Sequence, residues 1–180
     1  MERAIAMNTQ LFISHATPIP ELLIPVENDP EGFFRQKPTG GFWTSSWREL
    51  TQDSDWVEWC RGENFGAPNE KHWFLLTPHP DCKIYTINSL KDFKRCLIEY
   101  GDPVPLAQKY PSFAEKRVIN FEKVAQEFDG LHLTEKGNGE THLSYPNDLN
   151  GWDCESTLWF RWCFASVQTI PTPAIEEVAS

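Results

Sequence analysis

Short β-favouring runs cut apart by proline leave this chain few architectures other than a strand-rich one. Pro18, Pro20, Pro25 and Pro30 fall in one stretch, and each lacks the backbone donor that a helix interior or central strand requires. The segment they occupy is therefore expected as a long extended loop. Before it, Leu11–Ala16 reads as a buried strand. After it, Gly40–Gly41 turns the chain into Phe42–Ser46, a second strand rich in β-formers. His72–Thr77 and Lys83–Ile87 read as strands on either side of a proline turn, Leu131–Thr134 as a short strand, and Ser156–Phe164 as a long aromatic one.

Helix signals sit between these strands rather than alternating with them regularly. Asp55 is expected to cap a short helix with Trp56, Trp59 and Cys60 on one face, following the i, i+3, i+4 spacing. Ser89 with Asp92 forms a capping box ahead of Leu90, Phe93, Leu97 and Tyr100, and Gly101 is placed to end that helix. Asn120 opens another, bearing Phe121, Val124, Ala125 and Phe128 and stopping at Asp129–Gly130. Pro103 to Phe113 reads as a loop and Lys136 to Asn150 as a polar turn region. The layout predicts an α+β domain over residues 11–166, with residues 1–10 and 171–180 as flexible ends. At 180 residues, one core of this kind needs no disulfide or metal to hold it.

Charge narrows the function classes. Acidic residues outnumber basic ones 26 to 16, for a formal net charge of −10, which argues against general binding to a phosphate backbone. No apolar run approaches the length of a membrane span, so no membrane role is expected. The five cysteines (Cys60, Cys82, Cys96, Cys154, Cys163) are scattered and show no C-x-x-C spacing. They read as reduced thiols of a cytoplasmic protein, and no metal site is expected. Gly-rich dinucleotide and P-loop cradles, H-E-x-x-H and G-x-S-x-G are all missing. Cys154, flanked by Asp153 and Glu155, is a poor candidate nucleophile because like charge disfavours its thiolate.

Three segments stand out together. His15 ends the first strand. Gly41, Trp43, Thr44 and Ser45 lie in a glycine-led strand with an aromatic and hydroxyls. Trp152-Asp153-Cys154-Glu155 opens the last strand, where strand alternation would put both carboxylates on one face.

That order resembles the three-part signature of the ADP-ribosyltransferase fold: a first-strand His, an aromatic-Thr-Ser strand and a late Glu. The resemblance implies a split antiparallel sheet core with inserted helices and NAD as co-substrate. It further implies NAD contacts at His15, Gly41, Trp43, Thr44 and Ser45, with Glu155 and Asp153 as catalytic carboxylates. The acceptor (protein, nucleic acid, small molecule or water) stays open. His15 is followed by Ala16-Thr17 rather than Gly-Thr/Ser, and Trp43 stands where many members carry Tyr. Lys37-Pro38-x-Gly40-Gly41-x-Trp43 and Trp152-Asp153-Cys154-Glu155-Ser156 also look similar to a set of small, largely uncharacterised bacterial and phage proteins.

Under the transferase expectation, Trp43 stacks on the pyridinium while Glu155 binds the ribose 2′-hydroxyl beside an oxocarbenium-like transition state. Lys37, Arg48 and the Gly40–Gly41 amides are candidate phosphate contacts. An alternative reading makes the chain a non-catalytic acidic protein, such as a phage-type inhibitor that covers a basic host factor. A third has the Trp-rich segment 43–73 bind an unrelated small molecule.

Overall fold

The computed structural model describes residues 7–29 and 36–173. Ten strands form among the described residues: β1 (Gln10–Ser14), β2 (Ile24–Glu27), β3 (Thr39–Ser46), β4 (His72–Pro78), β5 (Ile84–Ile87), β6 (Gly101–Pro103), β7 (Arg117–Ile119), β8 (Gly130–Leu133), β9 (Ser156–Trp159) and β10 (Phe164–Ile170). Between them lie α1 (Asp55–Gly62), α2 (Leu90–Tyr100), α3 (Phe121–Glu127) and α4 (Glu135–Thr141). The main sheet has eight strands in the order β10-β4-β1-β3-β9-β8-β5, with β2 added to β3. β5 and β8 pair in parallel, while the other pairs run antiparallel. The chain is α+β, as expected, although β4 and β5 sit at separate places in the sheet rather than forming a hairpin. No helix among the described residues is long and apolar enough to cross a membrane.

The helices with complete local signals form where the sequence places them. Ser89 accepts from Asp92 N at 3.2 Å and Asn120 from Lys123 N at 2.9 Å, capping α2 and α3. α2 buries Phe93, Cys96 and Leu97 against Ile87, Leu131, Leu133 and Leu158 of the sheet. Each such apolar side chain contributes roughly 1.5–3 kcal/mol when removed from water. Ser54, not Asp55, caps α1 by accepting from Val57 N.

Several expectations need correction. The proline-rich segment is not all loop, because β2 forms with Pro25 inside it. Pro25 is tolerated because β2 pairs with β3 alone and its register shifts between Ile24 and Glu27, where Pro25 sits. Pro30 lies outside the described residues. Gly40 and Gly41 do not precede β3 but belong to it, at φ 72° and 73°. A Cβ at Gly40 would lie 2.2 Å from the Pro25 carbonyl oxygen, so close backbone approach requires glycine there. The expected Pro103–Phe113 loop connects β6 to β7, which pair as a small ribbon, and α4 extends into the expected turn region of Lys136 to Asn150. The long final strand divides into β9 and β10, so the sheet continues to Ile170, past residue 166. At the ends, Gln10 is buried in β1, while the Pro173 carbonyl accepts from Asn69 Nδ2 at 3.1 Å. Residues 1–6 and 174–180 lie outside the described part.

The cysteines are not all reduced. Cys82 and Cys163 form a disulfide across 81 residues of sequence, tying the β4–β5 turn to the β9–β10 turn. Cys60, Cys96 and Cys154 are free and buried. The bridge removes the free-thiol argument for a cytoplasmic location. A cross-link closing a loop of this length stabilises by about 2–4 kcal/mol, chiefly by restricting the unfolded chain. The double variant Cys82→Ser/Cys163→Ser is therefore expected to lose about 2–4 kcal/mol of unfolding free energy and to unfold at a lower urea concentration. An unchanged midpoint would contradict the bridge.

Candidate functional site

Two groups of aromatic side chains face a common cavity of about 440 Å³. On the sheet side, Trp43 of β3 meets Trp152 edge-on with ring centroids 4.8 Å apart. Trp152 is held by its indole N–H, which donates to the Gln36 carbonyl at 2.7 Å. On the helix side, Trp56 and Trp59 of α1 stack at 5.2 Å and 15°, as i, i+3 neighbours, and Phe65 packs edge-on against both. Leu11 and Ile13 of β1 complete the apolar wall, with Ser45, Cys154 and Ser156 at its sheet side. The volume falls within the roughly 300–1,000 Å³ typical of small-molecule sites. A second hollow, of about 940 Å³, lies among Thr51–Asp53 and Cys60–Glu70. Phe65 is the one aromatic side chain in its wall among the described residues.

Ser45 joins the helix side to the sheet side. Its hydroxyl accepts from the Trp56 backbone N–H at 3.4 Å and donates to Glu155 at 2.7 Å. Glu155 is 6 % exposed. Its Oε2 also accepts from the Ser46 N–H at 2.9 Å, while its Oε1 accepts from the Ser46 hydroxyl at 2.7 Å and lies 2.8 Å from His132 Nε2. The β3–β9 and β8–β9 registers, which set Thr157 opposite both Thr44 and His132, bring these groups together. Burial alone would raise the Glu155 pKa. The hydrogen bond and charge of His132, together with the Ser46 N–H and Ser45 hydroxyl, outweigh that and hold it below its ordinary value. Glu155 is thus a satisfied buried anion and does not line the cavity.

The two expected carboxylates do not form a pair on one strand face, because β9 begins only at Ser156. Asp153 lies in the preceding loop and lines the cavity, where it pairs with Lys37 Nζ at 3.0 Å. The Lys37 ammonium also lies 5.8 Å from the Trp43 ring centroid. Cys154 lines the cavity, but burial pushes its thiol up to about 12, with nearby carboxylates adding to the effect. It is no thiolate nucleophile.

The other expected contacts fare differently. Trp43 and Ser45 stand in the cavity wall as expected. Thr44 also borders it, but its hydroxyl is engaged: it donates to Gln10 at 2.7 Å and accepts from Trp159 Nε1 at 2.8 Å. Gly41 is closed off, since a Cβ there would lie 2.3 Å from Leu158 Cδ1. Its glycine serves strand packing rather than ligand approach. His15 is exposed beyond the end of β1 and does not line the cavity. Leu11 pairs with Ser45, so four further residues carry His15 about 13 Å along the strand. Arg48 is likewise spent, on Asp55 at 2.8 Å and Glu58 at 3.0 Å.

Trp152, Phe65 and His132 were not singled out by sequence reasoning for the roles they have here. The stacked pair Trp56–Trp59 was legible as a helix face; its meeting with Trp43 depends on tertiary packing. Asp55 is a further titratable group near this region. Burial, opposed by Arg48 and aided by the Glu155 charge, raises it from 3.8 to about 6. A raised carboxyl binds its proton more tightly in the folded state. Its contribution to stability is complete below pH 3.8 and is lost as pH rises through about 6. Asp55→Asn is expected to remove that downward slope from a stability–pH curve, and an unaltered slope would assign it to another group.

Comparison with known proteins finds no matching family model, no similar curated protein and no similar solved structure.

Proposed function

We propose that this protein binds a small molecule bearing a flat heteroaromatic ring, which inserts between the Trp43–Trp152 and Trp56–Trp59–Phe65 walls. The observation that carries this reading is the convergence of four indoles and a phenyl ring on one cavity. Aromatic side chains drawn from two parts of the fold favour a planar ring, by stacked or edge-on contact. Ser45, Ser156 and Asp153 supply the polar groups that orient it. The nicotinamide end of NAD is the ligand to which the sequence resemblance points. Titration with nicotinamide, adenosine and NAD, followed by tryptophan fluorescence, tests the reading. Saturable quenching by at least one of them supports it, and no saturable change with any of the three would remove it.

A second reading is ADP-ribosyl transfer, or hydrolysis of NAD, on an ADP-ribosyltransferase-like sheet. One observation favours it: Ser45 and Ser46 of the aromatic-Thr-Ser strand hydrogen-bond Glu155, the late carboxylate of the signature. Against it stand the engaged, buried oxygens of Glu155 and the distant His15. Lys37 and Arg48, the candidate phosphate partners, are both already paired with carboxylates. NAD labelled in its nicotinamide separates the two readings. Binding alone predicts quenching without release of label, whereas transfer or hydrolysis predicts release that Glu155→Gln abolishes.

A further inference from the structure

We infer that the cavity selects positively charged ring ligands, and that Lys37 is the internal cation such a ligand displaces. This rests on the aromatic cavity being the ligand site, as proposed above, and adds the charge of what it takes.

The ammonium of Lys37 already occupies a cation site at the cavity wall. It lies 5.8 Å from the centroid of the Trp43 ring and 3.0 Å from Asp153 Oδ2. One aromatic face and one carboxylate, which together favour a cation over a neutral group, are therefore arranged around a positive charge on a flexible stem. The pair is held loosely: the Lys37 and Asp153 side chains are 35 % and 37 % exposed, and ion pairs of that exposure add little net stability. Lys37 can swing outward at small cost. Once it leaves, Asp153 and the Trp43 face are open to the charge of an incoming ligand.

The surroundings favour the same sign. Lys37 is the only cationic side chain among the described residues lining the cavity. Behind the wall lie the buried carboxylate of Glu155 and the acidic groups of α1, Asp55 and Glu58, with Arg48 bound to both of the latter. The whole chain carries −10, a field that concentrates cations rather than anions. A pyridinium or an N-alkylated ring matches both the slot and the carboxylate. An anionic ring would face Asp153 and depend on Lys37 alone.

Calorimetric titration of the full chain at one pH with 1-methylnicotinamide, nicotinamide and nicotinate tests this, because the three rings differ chiefly in charge. The permanent cation is expected to bind at least about tenfold more tightly than the neutral amide, with nicotinate weakest. Lys37→Met should tighten 1-methylnicotinamide binding several-fold more than it changes nicotinamide binding, whereas Asp153→Asn should weaken the cation about tenfold. Equal or tighter binding of nicotinamide or nicotinate would overturn the charge preference while leaving the ring site in place. Weaker cation binding by Lys37→Met would also overturn it. If none of the three bound, the ring site itself would fall, and this inference with it.

Discussion

Glu155→Ala is expected to lower the free energy of unfolding by about 3–5 kcal/mol, because each buried polar group left without its partner costs about 1–3 kcal/mol. The loss is large because the truncation strands several groups at once: the hydroxyls of Ser45 and Ser46, the Ser46 N–H and His132 Nε2. Glu155→Gln keeps the shape but removes the charge and presents an amide donor to groups that themselves donate. Its cost should be smaller, though still measurable by urea denaturation. The sign of the pH dependence follows from the lowered pKa of Glu155. A carboxyl held below its ordinary 4.5 stabilises the fold above that value, and the stabilisation fades as pH falls through the folded-state pKa. The gap between the parent and Glu155→Ala should therefore narrow in acid. A variant as stable as the parent at neutral pH would mean that this carboxylate does not hold β3, β8 and β9 together.

Trp56→Ala carries the largest expected effect on binding. It removes one ring of the stacked pair on the helix side while leaving the backbone N–H that Ser45 accepts from. Loss of one stacking face costs about 1–3 kcal/mol, so affinity for a flat-ring ligand should fall roughly fivefold to more than a hundredfold. Trp56 is half-exposed, unlike the fully buried Trp73 and Trp159, and the variant should keep a cooperative unfolding transition. Undiminished affinity in a folded variant would place the ligand elsewhere, for instance in the hollow beyond Phe65.

How far these features could be read in advance depended on whether their causes were local. α2 and α3 were legible because a capping side chain and a 3.6-residue apolar period occur together in a few adjacent positions, Ser89 to Leu97 and Asn120 to Phe128. α4 was not, because Gly137 and Gly139 are poor helix formers. Gly137 is there because the Ile87 carbonyl oxygen would lie 2.2 Å from a Cβ, a demand set by a strand some fifty residues earlier. β2 was hidden by Pro25, whose place at a sheet edge depends on topology. The break between β9 and β10 was masked by a run of aromatics that continues through the turn. In the candidate site, Trp43 and Ser45 were readable from their strand, and Glu155 from its motif. His132 was not, since only the β8–β9 register brings it to Glu155. Strand alternation would pair Asp153 with Glu155 only if the strand had already begun; in the loop before Ser156, Asp153 turns to Lys37 instead.

The eight tryptophans divide between those in the cavity wall and those elsewhere, which permits a direct test. Trp43, Trp56, Trp59 and Trp152 line the cavity, whereas Trp47, Trp73, Trp159 and Trp162 do not. Each indole N–H gives its own nuclear magnetic resonance signal, assignable by single Trp→Phe substitutions. Titration with 1-methylnicotinamide and nicotinamide should shift the four cavity signals in a saturable way and leave the other four in place. Shifts confined to Trp47, Trp73, Trp159 or Trp162, or none in any indole at saturating ligand, would contradict the account.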